Sequence, residues 1–270
     1  MSNVITEIDA PVAIIRLNRS EKLNAFTFGM IEEIRSAVER AASDQQVVGI
    51  VLTGTGRAFS AGLDAGDLQR STREGAPESG GRSEHELPAL FSYLLRVPKP
   101  VVAAVNGVAA GGGFVLAMMS DLRFASESAS FTTVFSRRGL IAEHGTSWLL
   151  PRMVGVSRAL DLLWSSRRID AAEALRIGLV DRVAAPERLL DEARDYIREL
   201  AANVSPRSIA VIKSQVYRHL SEAMAPAIHD ADRLMKQALE HPDAKEGVAS
   251  LLEKRPPRFE RWNGGTYEHL

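Results

Sequence analysis

Residues 100–119 read PVVAAVNGVAAGGGFVLAMM, with Asn106 as the only polar side chain. Twenty such residues are long enough to span a bilayer. Pro100, Asn106, Gly107 and the three glycines 111–113 interrupt the run, however, and Lys99 precedes it. A buried strand over 101–105, a glycine turn and a buried helix over 114–120 account for the stretch better. Glycine and proline punctuate both kinds of element. No membrane association is expected.

Working outward, residues 11–17 (PVAIIRL) and 47–53 (VVGIVLT) are short, β-branched and bounded by turn residues, as buried strands are. Between them Met30, Ile31, Ile34, Val38, Ala41 and Ala42 recur at helical spacing. Strand, helix, strand, insert, strand, helix predicts an α/β fold with mostly parallel pairing. The insert, residues 69–86, is polar and nearly free of large apolar side chains, so it is expected to be a mobile surface loop, with a lid as its functional alternative.

The back half reads as helical. Asp170-Ala-Ala-Glu173 resembles a capping box and Gly178 a stop signal, which predicts a short helix over 171–177. Ser205-Pro206 supplies an N-cap and a first-turn proline for a helix burying Ile209, Ile212, Val216 and Leu220. Later stripes are Ile228, Ala231, Met235 and Ala238, then Val248, Leu251 and Leu252. The expected organisation is a core over 1–200 and a helical region over 201–270.

The 270 residues are 45% apolar and 25% charged, which suits an ordinary globular protein. The absence of cysteine removes disulfides, thiolate nucleophiles and Cys-type metal sites. With 33 basic and 34 acidic residues, no global field steers the chain toward nucleic acid. The N-terminus lacks the pattern of a secretory signal, so a cytoplasmic location is expected. Scattered histidines predict no dedicated metal site, and no phosphate-binding or dinucleotide fingerprint occurs. Ser60 lies in Ala58-Phe-Ser-Ala-Gly62, one glycine short of a nucleophile elbow, and is expected to be structural.

Two glycine clusters remain, Ala58–Asp64 (AFSAGLD) and Asn106–Gly113 (NGVAAGGG), each just past a predicted strand. The carboxyl ends of parallel strands are where open α/β sheets bind ligands, and the second cluster also opens a helix. Two backbone N–H groups meeting one oxygen there would form an oxyanion hole. Tight turns and close packing are the alternative reading of either cluster alone.

With these clusters in view, the sequence resembles the crotonase (enoyl-CoA hydratase/isomerase) superfamily. The matching segments are LNRSEKLNAFT (17–27), IVLTGTGRAFSAGLD (50–64), residues 100–126, ALRIGLVDRV (174–183) and EGVASLLEKRPPRF (246–259). The resemblance implies an α/β fold, a crotonase-like ββα spiral with a helical C-terminal trimerisation region, assembled as a homotrimer or homohexamer. It implies an acyl-CoA thioester as substrate and no separate cofactor. The thioester oxygen would be held by the N–H groups of Leu63, after Ala61-Gly62, and Gly112, beside Gly111. Lys22, Leu23 and Asn24 would cradle the CoA nucleotide. Arg258 and Phe259 would approach a neighbour's CoA.

The family's hydratases use two glutamates, and the matching positions here are Val115 and Phe135. Glu143, in Gly139-Leu-Ile-Ala-Glu143-His144-Gly, instead matches the base of the family's double-bond isomerases. A 1,3-proton shift needs one carboxylate. The expected activity is therefore conversion of 3-enoyl-CoA to 2-enoyl-CoA, with Glu143 as base in an apolar pocket lined by Val115, Phe135, Phe114 and Trp148. Alternatives are a hydratase using Glu143 alone or with Asp64 as second acid, and a catalytically reduced acyl-CoA binding protein. A solvated acid before Gly145-Thr-Ser is the bland reading of Glu143. His144 is expected to be a bystander, because the sequence offers it no partner.

Overall fold

The computed structural model describes residues 2–75, 87 and 89–261. Strand β1 (Val4–Asp9) pairs antiparallel with β2 (Val12–Leu17). β1 escapes a sequence search for buried runs because it is an edge strand, exposed along nearly its whole length. Helix α1 (Phe28–Ser43) follows, its N-terminus capped by the Thr27 hydroxyl accepting from the Met30 N–H. It buries Met30, Ile31, Ile34, Ala37, Val38 and Ala41, the stripe its spacing predicts.

Three strand pairs then wind between two sheets. They are β3 (Gly49–Gly54) with β4 (Ala58–Ser60), β5 (Val101–Val105) with β6 (Val108–Ala110), and β7 (Leu122–Ser126) with β8 (Ser130–Thr132). The first member of each pair joins a six-stranded sheet, completed by β10 (Arg182–Ala184), of order β1-β2-β3-β5-β7-β10, and the second a four-stranded sheet, completed by β9 (Ile169–Asp170), of order β4-β6-β8-β9. After its strand pair, each turn returns through a helix: α2 (Ala65–Glu74), α3 (Gly112–Met119) and α4 (Thr146–Val154). This is the ββα spiral expected from the resemblance.

α5 (Val156–Ser165), β9 (Ile169–Asp170), α6 (Ala171–Arg176), β10 (Arg182–Ala184) and α7 (Leu189–Asn203) close the core. The large sheet is covered on both faces. Ala13, Ile15, Ile50, Leu52, Val101 and Ala103 face one cluster, and Val12, Ile14, Val51, Val102 and Ala104 face another with Leu189, Ala193 and Ile197 of α7. Burial on both faces explains why these strands read as continuous apolar runs. α7 lies so close that a Cβ at Gly49 would meet Ile197 at 2.4 Å.

Among the described residues no helix is long and apolar enough to cross a membrane. The 100–119 stretch divides into β5, β6 and α3, and α3 is buried all round because it threads the core. The 69–86 insert needs correction. Gln69–Glu74 continue α2, which the Asp64 carboxylate caps by accepting from the Gly66 N–H. A cap can start a helix that lacks an apolar stripe. Residues 76–86 lie outside the described residues.

The C-terminal helices are α8 (Pro206–His219), α9 (Met224–Glu240) and α10 (Pro242–Glu253). Ser205 caps α8 and Pro206 opens it, as predicted. Its buried face is another matter. Pro206, Ala210 and Lys213 are buried, whereas Ile212, Val216 and Leu220 are exposed. Ile228, Met235, Val248, Leu251 and Leu252 are exposed too, Leu252 at 77%. The helical periodicity is real, but among the described residues nothing covers these stripes.

Candidate active site

The first glycine cluster is held by the loop before α1. Leu23 and Asn24 both adopt left-handed backbone, with φ of 52° and 54°. Wholly buried Asn24 secures this bend. Its amide nitrogen donates to the Thr55 and Ala58 carbonyls at 2.9 and 2.8 Å, and its Oδ1 accepts from the Arg19 N–H at 2.9 Å. The Ser60 hydroxyl donates to the Asn24 carbonyl at 2.8 Å and accepts from the Gly62 N–H at 3.1 Å, so Ser60 is structural as expected. Asn106, the polar residue inside the apolar stretch, accepts from Gly54 N–H and donates to Gly56 and Ala58 carbonyls, binding the ends of β3 and β5 together.

Backbone pairing then stitches the loop to the cluster. Ala61 N–H donates to the Leu23 carbonyl at 2.9 Å, Phe26 N–H to Gly62 at 2.7 Å, and Asp64 N–H to Phe26 at 2.7 Å. Between these bonds lies the Leu63 N–H, which has no acceptor among the described residues. Among the described residues the N–H of Gly112, the first residue of α3, has no acceptor, as at helix N-termini generally, and no side chain caps it.

The two clusters abut. A Cβ at Gly62, where φ is +91°, would stand 2.7 Å from the Ala110 carbonyl oxygen and 2.9 Å from the Gly112 nitrogen. One at Gly113 would overlap the Ser60 carbonyl oxygen at 2.3 Å. Glycine is therefore required by close backbone approach as well as by φ. Gly111 starts the helix at φ +50°.

Glu143 lies in the loop before α4. Its carbonyl accepts from the Thr146 N–H at 3.1 Å and from the Thr146 hydroxyl at 2.7 Å, which fixes the turn, while its carboxylate is about one-third exposed. His144 Nε2 lies 3.5 Å from Glu143 Oε2, and His144 Nδ1 accepts from the Leu90 N–H at 3.4 Å. Burial drives the His144 pKa down against the opposing field of Glu143, which favours the uncharged ring. The next residue, Gly145, lines a cavity of about 520 Å³ together with Trp148, Leu149, Met119, Leu95 and Tyr217.

The Enoyl-CoA hydratase/isomerase family model matches residues 7–262. The chain belongs to this family, the crotonase superfamily. Among its family members, the 1,2-epoxyphenylacetyl-CoA isomerase of Escherichia coli (strain K12) is 33% identical over 259 residues, covering 96% of this chain and 98% of that one. A probable enoyl-CoA hydratase of Rhodobacter capsulatus is 38% identical over 254 residues, covering 94% and 96%. The solved structure of an enoyl-CoA hydratase from Polaromonas sp. JS666 superposes with a TM-score of 0.86 at 31% identity, covering 95% of this chain and 99% of that one.

Against this crotonase background the remaining sequence-predicted residues fall into place unevenly. Val115 and Phe135, at the positions of the hydratase glutamates, are buried in the main core with Phe114. Of the four residues expected to form an apolar pocket, only Trp148 lines the cavity. Asp64 is occupied as the α2 cap and as the partner of Arg19 at 3.3 Å. The Gly66 N–H is the main cause holding its carboxyl below the usual range, with burial opposing and Arg19 assisting. The side chain of Asn24 is taken up in the loop, while Lys22 beside it is exposed. Arg258 and Phe259 rest on the C-terminal helices. The Arg258 N–H donates to Glu246, and Phe259 lines a groove of about 290 Å³ with Val204, Met235 and Leu239. The contacts of Arg19, Asn106 and His144 had no signal in sequence spacing, because each joins segments far apart in the chain.

Proposed function

We propose that the chain is an acyl-CoA double-bond isomerase that converts 3-enoyl-CoA to 2-enoyl-CoA. The observation that carries this reading is the placement of Glu143: a partly exposed carboxylate two residues before the cavity-lining Gly145, while apolar side chains occupy positions 115 and 135. The acyl group lies in the cavity, the CoA nucleotide runs along Lys22–Asn24, and the thioester oxygen takes hydrogen bonds from Leu63 and Gly112. Glu143 removes a proton from C2, and the electron pair delocalises onto the thioester oxygen as a dienolate. Re-formation of the carbonyl moves the double bond to C2–C3 as Glu143 returns the proton to C4. The step moves one proton and no net electrons, so it calls for no redox cofactor. Each backbone donor is worth about 10²–10³ in rate.

A hydratase reading is favoured by the name of the Rhodobacter relative. It would use Glu143 alone or with Asp64, and the bonds made by Asp64 count against the second arrangement. Turnover of 3-hexenoyl-CoA beside hydration of crotonyl-CoA tests both. Isomerisation is expected to be faster, and Glu143→Gln to lower it by about 10²–10⁴. Faster hydration overturns the isomerase reading. The same proposal includes assembly through the exposed faces of α8, α9 and α10 into a trimer or hexamer, bringing Arg258 and Phe259 near a neighbour's CoA.

A further inference from the structure

The residue after Glu143 stands in a backbone conformation that side chains rarely adopt: His144 has φ of 53°, directly before Gly145 at φ 76°. Glycine would fit there without strain. The imidazole compensates with two contacts, one to the Leu90 N–H and one toward the Glu143 carboxylate. The first settles the ring's protonation. An N–H donating to Nδ1 leaves that nitrogen as acceptor, so the proton of the neutral ring is on Nε2. Nε2 is the atom that faces Glu143 Oε2 at 3.5 Å, a separation that a small rotation closes to a hydrogen bond.

We propose that His144 is a positioning residue for Glu143. It holds Oε2 and leaves Oε1 to face the substrate. It also ties the carboxylate to the Leu87, Ala89 and Leu90 side of the cavity. Leu87 and Ala89 line that cavity, as does Gly145, so the His144–Leu90 contact links the two segments that carry these parts of its wall. The lowered His144 pKa agrees with this arrangement, because a protonated ring would set an Nδ1–H against the Leu90 N–H. The charged group acting on the ring is Glu143, while Arg96 and Arg218 are charged groups lining the cavity that Gly145 borders.

This inference rests on Glu143 being the base. A carboxylate that serves both C2 and C4 must keep one oxygen in reach of each carbon. Loss of the imidazole therefore affects proton return more than binding. Misplacement of about 1 Å costs about 10²-fold in rate.

The test uses 3-hexenoyl-CoA in D₂O, following C2 exchange and C4 deuteration by NMR. His144→Gly suits the left-handed backbone and is expected to fold. Its kcat should fall 10- to 100-fold with KM changed less than threefold. The ratio of C4 deuteration to C2 exchange should fall with it. His144→Gln, whose amide can donate to Oε2, should recover most of the ratio. A ratio unchanged in His144→Gly, or a loss confined to KM and melting temperature, overturns the positioning role. Glu143→Gln in the same assay separates the two readings. If it retains exchange, the base assignment itself fails. If it abolishes exchange while His144→Gly behaves as wild type, only the inference about His144 fails.

Discussion

The Lys213 ammonium lies 2.6 Å from Oδ2 of Asp121, fastening α8 to the entry of β7. Lys213 also donates to the Lys99 carbonyl at 3.1 Å, and Asp121 accepts from the Val101 N–H at 2.7 Å and the Tyr217 hydroxyl at 2.9 Å. Tyr217 is in turn a wall of the cavity. One buried pair thus sets where the C-terminal helices stand relative to the spiral.

Lys213→Ala should destabilise the protein by about 3–5 kcal/mol, because it leaves a carboxylate with no cation beside it in a buried joint. Chemical denaturation measures this. The double variant Lys213→Met with Asp121→Asn should recover part of the loss, since neither charge then remains. Equal losses in the single and double variants would show that the pair is not coupled.

Lys99 predicts a pH dependence. Its ammonium donates to the Ala41 and Asp44 carbonyls at 3.1 and 2.6 Å, yet burial pushes its pKa down to about 8 against the weaker pull of Asp44. Between pH 8 and its ordinary value the unfolded chain binds more protons than the folded one, so stability rises with pH there. The stability of wild type minus that of Lys99→Met should increase across pH 8 to 10.5, by up to about 3 kcal/mol. A flat or falling difference contradicts the burial cause.

Gly62→Ala tests the paired donors without removing a side chain. The new methyl would press on the Ala110 carbonyl and the Gly112 nitrogen, at a φ of +91°. Isomerase kcat should fall by about 10²-fold or more. Circular dichroism should confirm a folded protein. Retained kcat in folded protein would remove Gly112 from the proposed mechanism.

The exposed stripes of α9 and α10 predict assembly, because apolar patches of this kind mark interaction surfaces. Sedimentation of wild type should show a trimer or hexamer, and Ile228→Glu with Leu252→Glu should show smaller, inactive species. An active wild-type monomer at assay concentration contradicts it.

Features settled within a few neighbouring residues were legible in the chain itself. The α1 stripe, the Ser205-Pro206 start of α8 and the Asp170 cap accepting from Glu173 N–H all formed as read, because caps and helical spacing act over three or four positions. The strands β3 and β5 and their glycine turns were equally readable, and with them the α/β class. What the sequence alone could not assign was the partner of each face. Val115 and Phe135 looked like pocket walls but are core, because burial depends on what the spiral lays over them. Ile212 and Leu252 follow the rule for buried stripes and stand in solvent, because their periodicity does not say whether the covering surface belongs to the same chain. His144 meets a backbone N–H 54 residues earlier, and Asn24 closes on Ala58 across 34. Contacts of that separation leave no local pattern. Tertiary folding alone brings such groups within hydrogen-bonding distance, and here it decided which polar groups surround Leu63, Gly112 and Glu143.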